Sequence, residues 1–439
     1  MKSDIAFLVF APLKKKRKND SFDGNDNIGA LVVKDILERK GIVVDFCAPE
    51  TACSYHVVLV SLTSTYDVYS FFRQVARRPE WQRKHRKFKV VIGGFGLQNP
   101  YPIRNYADYA LFGRADDIIE GLVSAALTGK PYIHDSVMNL PDITPVKIAQ
   151  TQKLYAHPCK FSENKEFKES FVGCPNKCKF CHYTWARENK GHHGEYVNQT
   201  LAGASSPEMT WKEMIKSEGK LGRTRSAIDG FSQRIRFLFG KRISCDDVTA
   251  GIERLGAYEG NTVCIVYNVS NMPTETEDDR QELYSVIARS QPENRVIIVL
   301  HSTPFRPSLV TPMQWEGVTL MPNWNKYGAS VIYDSDNLRA VHSTGNEAPY
   351  SHLISVIAER ATTETDKLFQ AICFNPKLQS GTAIRRMKIL QRNFNLHQYL
   401  RQYDIGDPDY PASFLTGYIN QTSLMRIAQK MRKDAEYSN

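Results

Sequence analysis

The run Gly173-Cys174-Pro175-Asn176-Lys177-Cys178-Lys179-Phe180-Cys181-His182 places three cysteines at the spacing C-x3-C-x2-C, with an aromatic residue just before the third. No other stretch constrains the folding of this chain so tightly. A closed cubane of four irons and four sulfurs takes four thiolates. Three thiolates on one short loop hold three irons and leave the fourth open to bind and reduce a small molecule. Two other readings compete. A tetrahedral zinc ion could use the same cysteines with His182, although structural zinc sites more often show a second C-x2-C or C-x2-H pair, and the other such spacing, Cys53 to His56, lies far from this run in the sequence. Three unrelated buried thiols would look the same.

At 439 residues the chain is too long for one ordinary domain. Its 42% hydrophobic and 24% charged residues suit a globular protein. It has no apolar run long enough to span a membrane. Met1–Phe10 reads as a first strand, not a leader peptide, because a basic cluster follows it. Nine cysteines, six of them scattered, suit a reducing cytoplasm. The net charge of +10 admits a polyanionic partner or an anionic substrate, and equally a generic basic surface.

Residues 1–130 alternate strand-like and helix-like segments: strands at 5–10, 43–46, 57–61, 89–92 and 109–112, helices at 28–39, 67–77 and 116–126. This spacing predicts an α/β fold opening on a doubly wound parallel sheet, whose ligands bind at the carboxyl ends of the strands. Residues 131–160, with four prolines, read as a linker. Residues 161–345 form a central region. Residues 346–439 read as a helical region, with helical spacing at 353–373, 382–402 and 413–435.

The cysteine spacing and its aromatic resemble the signature of the radical S-adenosylmethionine (radical SAM) enzymes. Further segments are similar in order: Ala227–Arg236, Phe239–Ser244, Val266–Thr276, and Val299–Pro307 with Thr311-Pro312. The resemblance implies a partial (β/α) barrel in the central region. It also implies a [4Fe-4S] cluster on Cys174, Cys178 and Cys181, with SAM chelating the open iron. One electron then cleaves SAM to a 5′-deoxyadenosyl radical that abstracts hydrogen from an unactivated carbon. On the same resemblance Phe180 lies beside the adenine, Ser232 and Arg234 or Arg236 contact the SAM carboxylate, and Asn268 joins the cofactor site. The bland readings are a helix cap for Ser232, a surface arginine, a turn-satisfying Asn268 and a core His301. His182, His192 and His193 read as polar loop residues, Cys245 and Cys264 as structural. The acidic segment that often holds the SAM amine is not evident between residues 182 and 226.

The N-terminal region resembles the cobalamin-binding-type domain of many radical SAM enzymes at Asn27–Ala30, Val58–Thr63, Ile92–Gly96 and Asp108–Gly113. It departs where a D-x-H-x-x-G loop would supply a histidine to cobalt. Here the stretch is Gly24-Asn25-Asp26-Asn27-Ile28-Gly29. Cobalamin is therefore doubtful, and its loss from the domain is the preferred reading.

Basic runs at Lys14–Lys18, Arg83–Lys89 and Arg385–Lys388 with Arg392 suggest phosphate contacts, against the ordinary reading of solvated loops. The expectation is an isomerase or mutase acting on a nucleobase in DNA or RNA, similar in chemistry to viral thymidine hypermodification in a host cytoplasm. A flavodoxin or ferredoxin would supply the electron. The alternatives are a cobalamin-dependent methyltransferase on a small molecule or peptide, and a non-catalytic zinc-bearing nucleic-acid-binding protein.

Overall fold

The computed structural model describes residues 4–9, 27–150, 153–155, 157, 159–162, 165–167, 169, 171–174, 176–191, 211–219, 221–320, 330–343, 348–379 and 381–436. The first basic run, residues 24–26, His192, His193 and the 200–210 stretch lie outside them.

The N-terminal module comprises Ile5–Val9 (β1), Ile28–Arg39 (α1), Val44–Phe46 (β2), Val57–Ser61 (β3), Thr65–Val75 (α2), Lys89–Gly93 (β4), Tyr109–Leu111 (β5), Ile119–Thr128 (α3) and Val137–Asn139 (β6). The six strands run in the order β2-β1-β3-β4-β5-β6. The first five are parallel and β6 is antiparallel to β5. The short apolar runs of β1 and β3 are buried at every residue, as a parallel sheet covered on both faces requires. Ile5, Phe7, Val57, Leu59 and Val91 meet α1 and α3, while Ala6, Leu8, Val58, Val60 and Ile92 share a core with α2 and the C-terminal helices. The stretch expected to be a linker thus contributes the sheet's antiparallel edge. Val146–Lys147 (β7) follows, and then the hairpin Cys159–Ser162 (β8) with Lys165–Phe167 (β9).

Phe171–Val172 (β10) leads into the cysteine loop, His182–Ala186 (α4) out of it, and Lys190–Gly191 (β11) returns to pair with β10. After Trp211–Lys216 (α5), the central sheet is built from Arg223–Ala227 (β12), Gln233–Leu238 (α6), Cys245–Gly256 (α7), Thr262–Ser270 (β13), Glu277–Arg289 (α8), Val296–Pro304 (β14), Ser330–Asp334 (β15) and Leu338–Ser343 (β16). The strand order is β12-β13-β14-β16-β15, with only β15 antiparallel. The sheet is open, as a partial barrel is. Capping boxes start both long helices, Ser244 with Asp247 and Thr276 with Asp279. Alternation along β13 and β14 sends Cys264, Val266, Ile298 and Leu300 into the core under α7 and α8. Tyr267 and His301 lie on the other, open face, edge to face at 6.0 Å. His301 is half-buried there, not a core residue as expected.

The C-terminal region contains Ala348–Glu359 (α9), Thr365–Phe374 (α10), Pro376–Gln379 (α11), Ala383–Asn393 (α12), His397–Leu400 (α13), Leu415–Thr416 (β17) and Gln421–Glu436 (α14). Each long helix expected from periodicity is shorter in the fold. Between α9 and α10 the Thr362 amide donates to Thr365 Oγ1 at 2.8 Å. Such local bonds compete with the helical ladder. β17 pairs with β7, which ties this region back to the N-terminal module. The α9 helix lies against α2. Thr65 Oγ1 donates to the buried Glu359 carboxylate at 2.9 Å, and Asn99 Nδ2 donates to the Glu359 and Ala361 carbonyls at 2.9 Å each. Arg360, fully buried, donates to the carbonyls of Tyr399, Arg401, Gln314 and Glu316. No helix among the described residues is long and apolar enough to cross a membrane.

Candidate active site

The cysteine loop is clamped from both sides. Gly173 has φ +77°, and a Cβ there would lie 2.6 Å from the Glu188 carbonyl oxygen. Gly240 has φ +88°, and its Cβ would lie 2.5 Å from the Lys177 carbonyl oxygen. Both positions therefore need glycine. The Lys179 amide donates to Phe239 O at 2.8 Å, its Nζ to Leu238 O at 2.7 Å, and Trp185 Nε1 to Cys178 O at 2.8 Å. An apolar cluster of Ile235, Phe239, Met272, Phe305, Met313 and Met431, with Phe180 against it, lies beneath. The loop is thus held at the carboxyl ends of β12, β13 and β14.

Cys178 is buried; Cys174 and Cys181 are partly so. Burial pushes the Cys178 thiol up to about 12. The nearby Lys241 opposes this, whereas Asp229, Cys181 and Cys174 add to it. Burial also raises Cys181. Without a cation these thiols stay protonated, and metal binding would displace the protons. Lys241 forms a partly buried ion pair with Asp229 at 2.8 Å. That pair beside Cys178 was not recognised in the sequence. Its signal was the glycine following Asp229 and the one preceding Lys241, both in turns with positive φ. Among the described residues, no three of His, Cys, Asp and Glu are grouped to hold a single metal ion.

The residues expected to contact SAM separate into two groups. Phe180 and Cys181 line a chamber of about 580 Å3. Ser232, Arg236 and Asn268 are not part of its lining, and their side chains are engaged within the protein. Ser232 caps α6, accepting from the Ile235 amide at 3.1 Å, and donates to Asp279 Oδ1 at 2.5 Å. Arg236 is fully buried and donates to the carbonyls of Ile243, Gly230 and Phe231, with Cys245 Sγ at 3.4 Å. Asn268 accepts from the Gly230 amide at 2.7 Å and donates to Ser302 Oγ at 3.3 Å. All three brace strand ends and the turn beside the cysteine loop. Arg234 forks onto Asp279 at 3.2 and 2.6 Å, so the carboxylate it holds is the protein's own. Its Nη1 is buried and has no hydrogen-bond partner, which leaves one donor for an acceptor not supplied by the fold. Cys245 and Cys264 sit at a helix start and in a strand, as expected.

The chamber lies where all three parts of the chain meet. Tyr66 and Phe95 come from the N-terminal module, Phe180–Tyr183 from the cysteine loop, Val269 and Thr303–Arg306 from the central strand ends, and His352 and Ser355 from α9. His182 is a buried residue, not the expected polar loop residue. Its Nδ1 lies 2.7 Å from Leu309 O, and its ring meets Phe95 at 5.2 Å. His352 Nε2 lies 2.7 Å from Phe305 O. A carbonyl only accepts, so each of these nitrogens carries the proton.

His342, buried on β16 beside Phe231, is lowered to about 4 by burial and then by His301; burial lowers His352 likewise, helped by Arg306. The unfolded chain therefore binds more protons between pH 4 and 6.5. Stability is full above 6.5 and declines as pH falls towards 4. Melting of the metal-free protein across that window should follow this trend, and His342→Phe should flatten it.

A second cavity, of about 410 Å3, opens at the carboxyl edge of the N-terminal sheet between β1 and β3, where the strand order reverses. Open sheets of this kind bind ligands at that point. Asn27, Gly29, Ser61, Gly93, Gly94 and Gly113 line it, as the sequence placed them. Gly94 also serves packing, since a Cβ there would lie 2.3 Å from Leu62 O. Arg114, paired with Asp116 and Glu169, and Arg187, stacked over Phe95 and Tyr183 at 5.5 and 5.3 Å, form its far wall. Asn27 Nδ2 is buried there without a partner. Phe95 lines both cavities.

The basic run Arg83–Lys89 lies at the opposite sheet edge, where Arg83, Arg86 and Lys89 converge on Asp108 at 3.6, 2.5 and 3.4 Å. On α12, Arg386 is buried over the Tyr350 ring, while Arg385, Lys388 and Arg392 are exposed.

No protein-family model matches this chain, and no curated protein does. Among solved structures it is similar to the cobalamin-dependent S-adenosylmethionine radical enzyme OxsB. With the form bound to aqua-cobalamin and S-adenosylmethionine the TM-score is 0.41 at 8% identity, over 99% of this chain and 80% of that one. With the apo, selenomethionine-labelled form it is 0.32 at 9%, over 99% and 56%. With the aqua-cobalamin form it is 0.30 at 11%, over 98% and 56%. The chain thus spans little more than half the length of two of these three structures.

Proposed function

We propose that this protein is a radical SAM enzyme that abstracts hydrogen from, and rearranges, a nucleobase in DNA or RNA, a thymidine hypermodification among the candidates. The observation that carries the reading is the three-cysteine loop held beside a ring-lined chamber, with Cys181 in the chamber wall. Cys174, Cys178 and Cys181 would hold a [4Fe-4S] cluster, and the donor set fits it in kind: three thiols on one short loop, two of them raised by burial so that metal binding would have to displace their protons. Cluster and SAM together supply a 5′-deoxyadenosyl radical. The chain's own part is to hold the loop rigid, shield the chamber and present the substrate. Arg234 Nη1 suits the SAM carboxylate. The aromatic walls suit a flat ring, and the exposed cations of α12 suit phosphates. Asn176 and Lys177, exposed on the outer turn of the loop, offer a one-electron donor such as flavodoxin an approach outside the chamber.

A second reading, a cobalamin-dependent methyltransferase, draws support from the cavity at the reversal of strand order. Reconstitution with iron and sulfide without oxygen, followed by 5′-deoxyadenosine measurement, tests the radical SAM reading. Loading of zinc but no iron would overturn it. Cobalamin retained by the purified protein would favour the methyltransferase. Mass spectrometry of nucleosides from cells or virions with and without the protein tests the substrate; identical nucleosides would exclude it.

A further inference from the structure

The chamber's polar wall is asymmetric. His352, on α9, commits its Nε2–H to the Phe305 carbonyl at 2.7 Å. A neutral imidazole has one donor and one acceptor nitrogen, so Nδ1 carries a lone pair and no proton. Burial supports the neutral form by lowering the ring to about 4. Next to Phe305 in the chain is Arg306, which also lines the chamber. Its side chain is fixed by the Glu359 carboxylate at 2.8 Å, and Glu359 is itself held by Thr65. A guanidinium donates and never accepts. Among the polar side chains of the lining, which also include Thr303, Ser308, Ser351 and Ser355, His352 Nδ1 only accepts and Arg306 only donates; Tyr66, Phe95 and Phe180 add aromatic rings to the same chamber.

Resting on the radical SAM reading of this chamber, we propose that His352 and Arg306 select a ring lactam, an N–H beside a C=O, as the recognised edge of the substrate. The lactam N–H donates to His352 Nδ1 and its carbonyl accepts from Arg306. Thymine, uracil and guanine carry that edge. Cytosine and adenine present a ring lone pair where the N–H should be, and two lone pairs facing each other repel. His352 is a specificity-determining residue in this account, not a catalytic one.

The test is calorimetric binding to the cluster-loaded protein with SAM, which needs no turnover. The probes are thymidine, N3-methylthymidine, deoxycytidine, and the non-nucleoside pair glutarimide and N-methylglutarimide. Thymidine should bind about tenfold or more tightly than N3-methylthymidine and deoxycytidine, the scale of one lost hydrogen bond plus an unmet buried group. His352→Phe should bring the three to within about twofold, the ratio expected once that single contact is gone. Equal binding of thymidine and N3-methylthymidine overturns the lactam assignment, as does a ratio unchanged in His352→Phe. Failure of every nucleoside with retained preference for glutarimide over its N-methyl form overturns the nucleobase reading and leaves the lactam assignment standing. If no probe binds, the lactam assignment falls, and 5′-deoxyadenosine formation in the same preparation decides the radical SAM reading independently.

Discussion

Cys178→Ala abolishes iron–sulfur loading and 5′-deoxyadenosine formation while costing only about 1–2 kcal/mol of stability, an ordinary figure for a buried point change. The asymmetry follows from how the loop is held. Its clamps are backbone contacts: the Cys178 carbonyl on Trp185 Nε1, the Lys179 amide on Phe239, and the close approach of Gly240 to Lys177. None uses the thiol. The thiol's own surroundings oppose ionisation, as those of the buried Cys264 do, so a metal bound there would have to displace its proton. Cys264→Ala is the contrasting variant. That thiol is also buried, but in the core of the central sheet, so its loss should lower stability comparably and leave iron content unchanged. Iron and sulfide content, visible absorbance and product analysis read the first outcome, and denaturant midpoints the second. Normal 5′-deoxyadenosine from Cys178→Ala would sink the cluster assignment.

The largest stability loss is expected at Arg360→Met. Four carbonyls from two separate segments depend on one guanidinium. Each stranded acceptor costs about 1–3 kcal/mol, and neighbouring losses do not simply add. A total of about 3–5 kcal/mol results, near the upper end for point changes. Tyr403, whose ring lies 5.2 Å from the guanidinium, loses one cation contact as well and keeps the other, to Arg401 at 4.0 Å. Arg385→Met, on the exposed face of α12, should change stability by less than about 0.5 kcal/mol. Equal urea midpoints for the two variants would refute this account of how the C-terminal region is fastened.

These two sites differ in how far the sequence reveals them. The cysteine loop is local, so its spacing is legible without a fold. The parallel strands of the N-terminal module are legible for the same reason: each is a short apolar run with its helix next in line. Arg360 is invisible in sequence because its partners lie at positions 314–316 and 399–401. The internal bonds of Ser232 and Asn268 are hidden in sequence for a related reason. A residue type that suits a ligand's carboxylate or amide equally suits Asp279 or a backbone amide, and only the folded chain shows which came first. The basic run Arg83–Lys89 reads as a row of surface cations until Asp108, on the far side of β4, draws three of them inward.

Phe95 belongs to the walls of both cavities. If filling one cavity turns that ring, the occupant of the other is bound more tightly or more weakly, and the influence must run equally in both directions. Filling either site would then change the affinity of the other by the same factor, through a single side chain on the loop after β4. Phe95→Ala would uncouple the two bindings, and would also let small molecules pass from one cavity to the other.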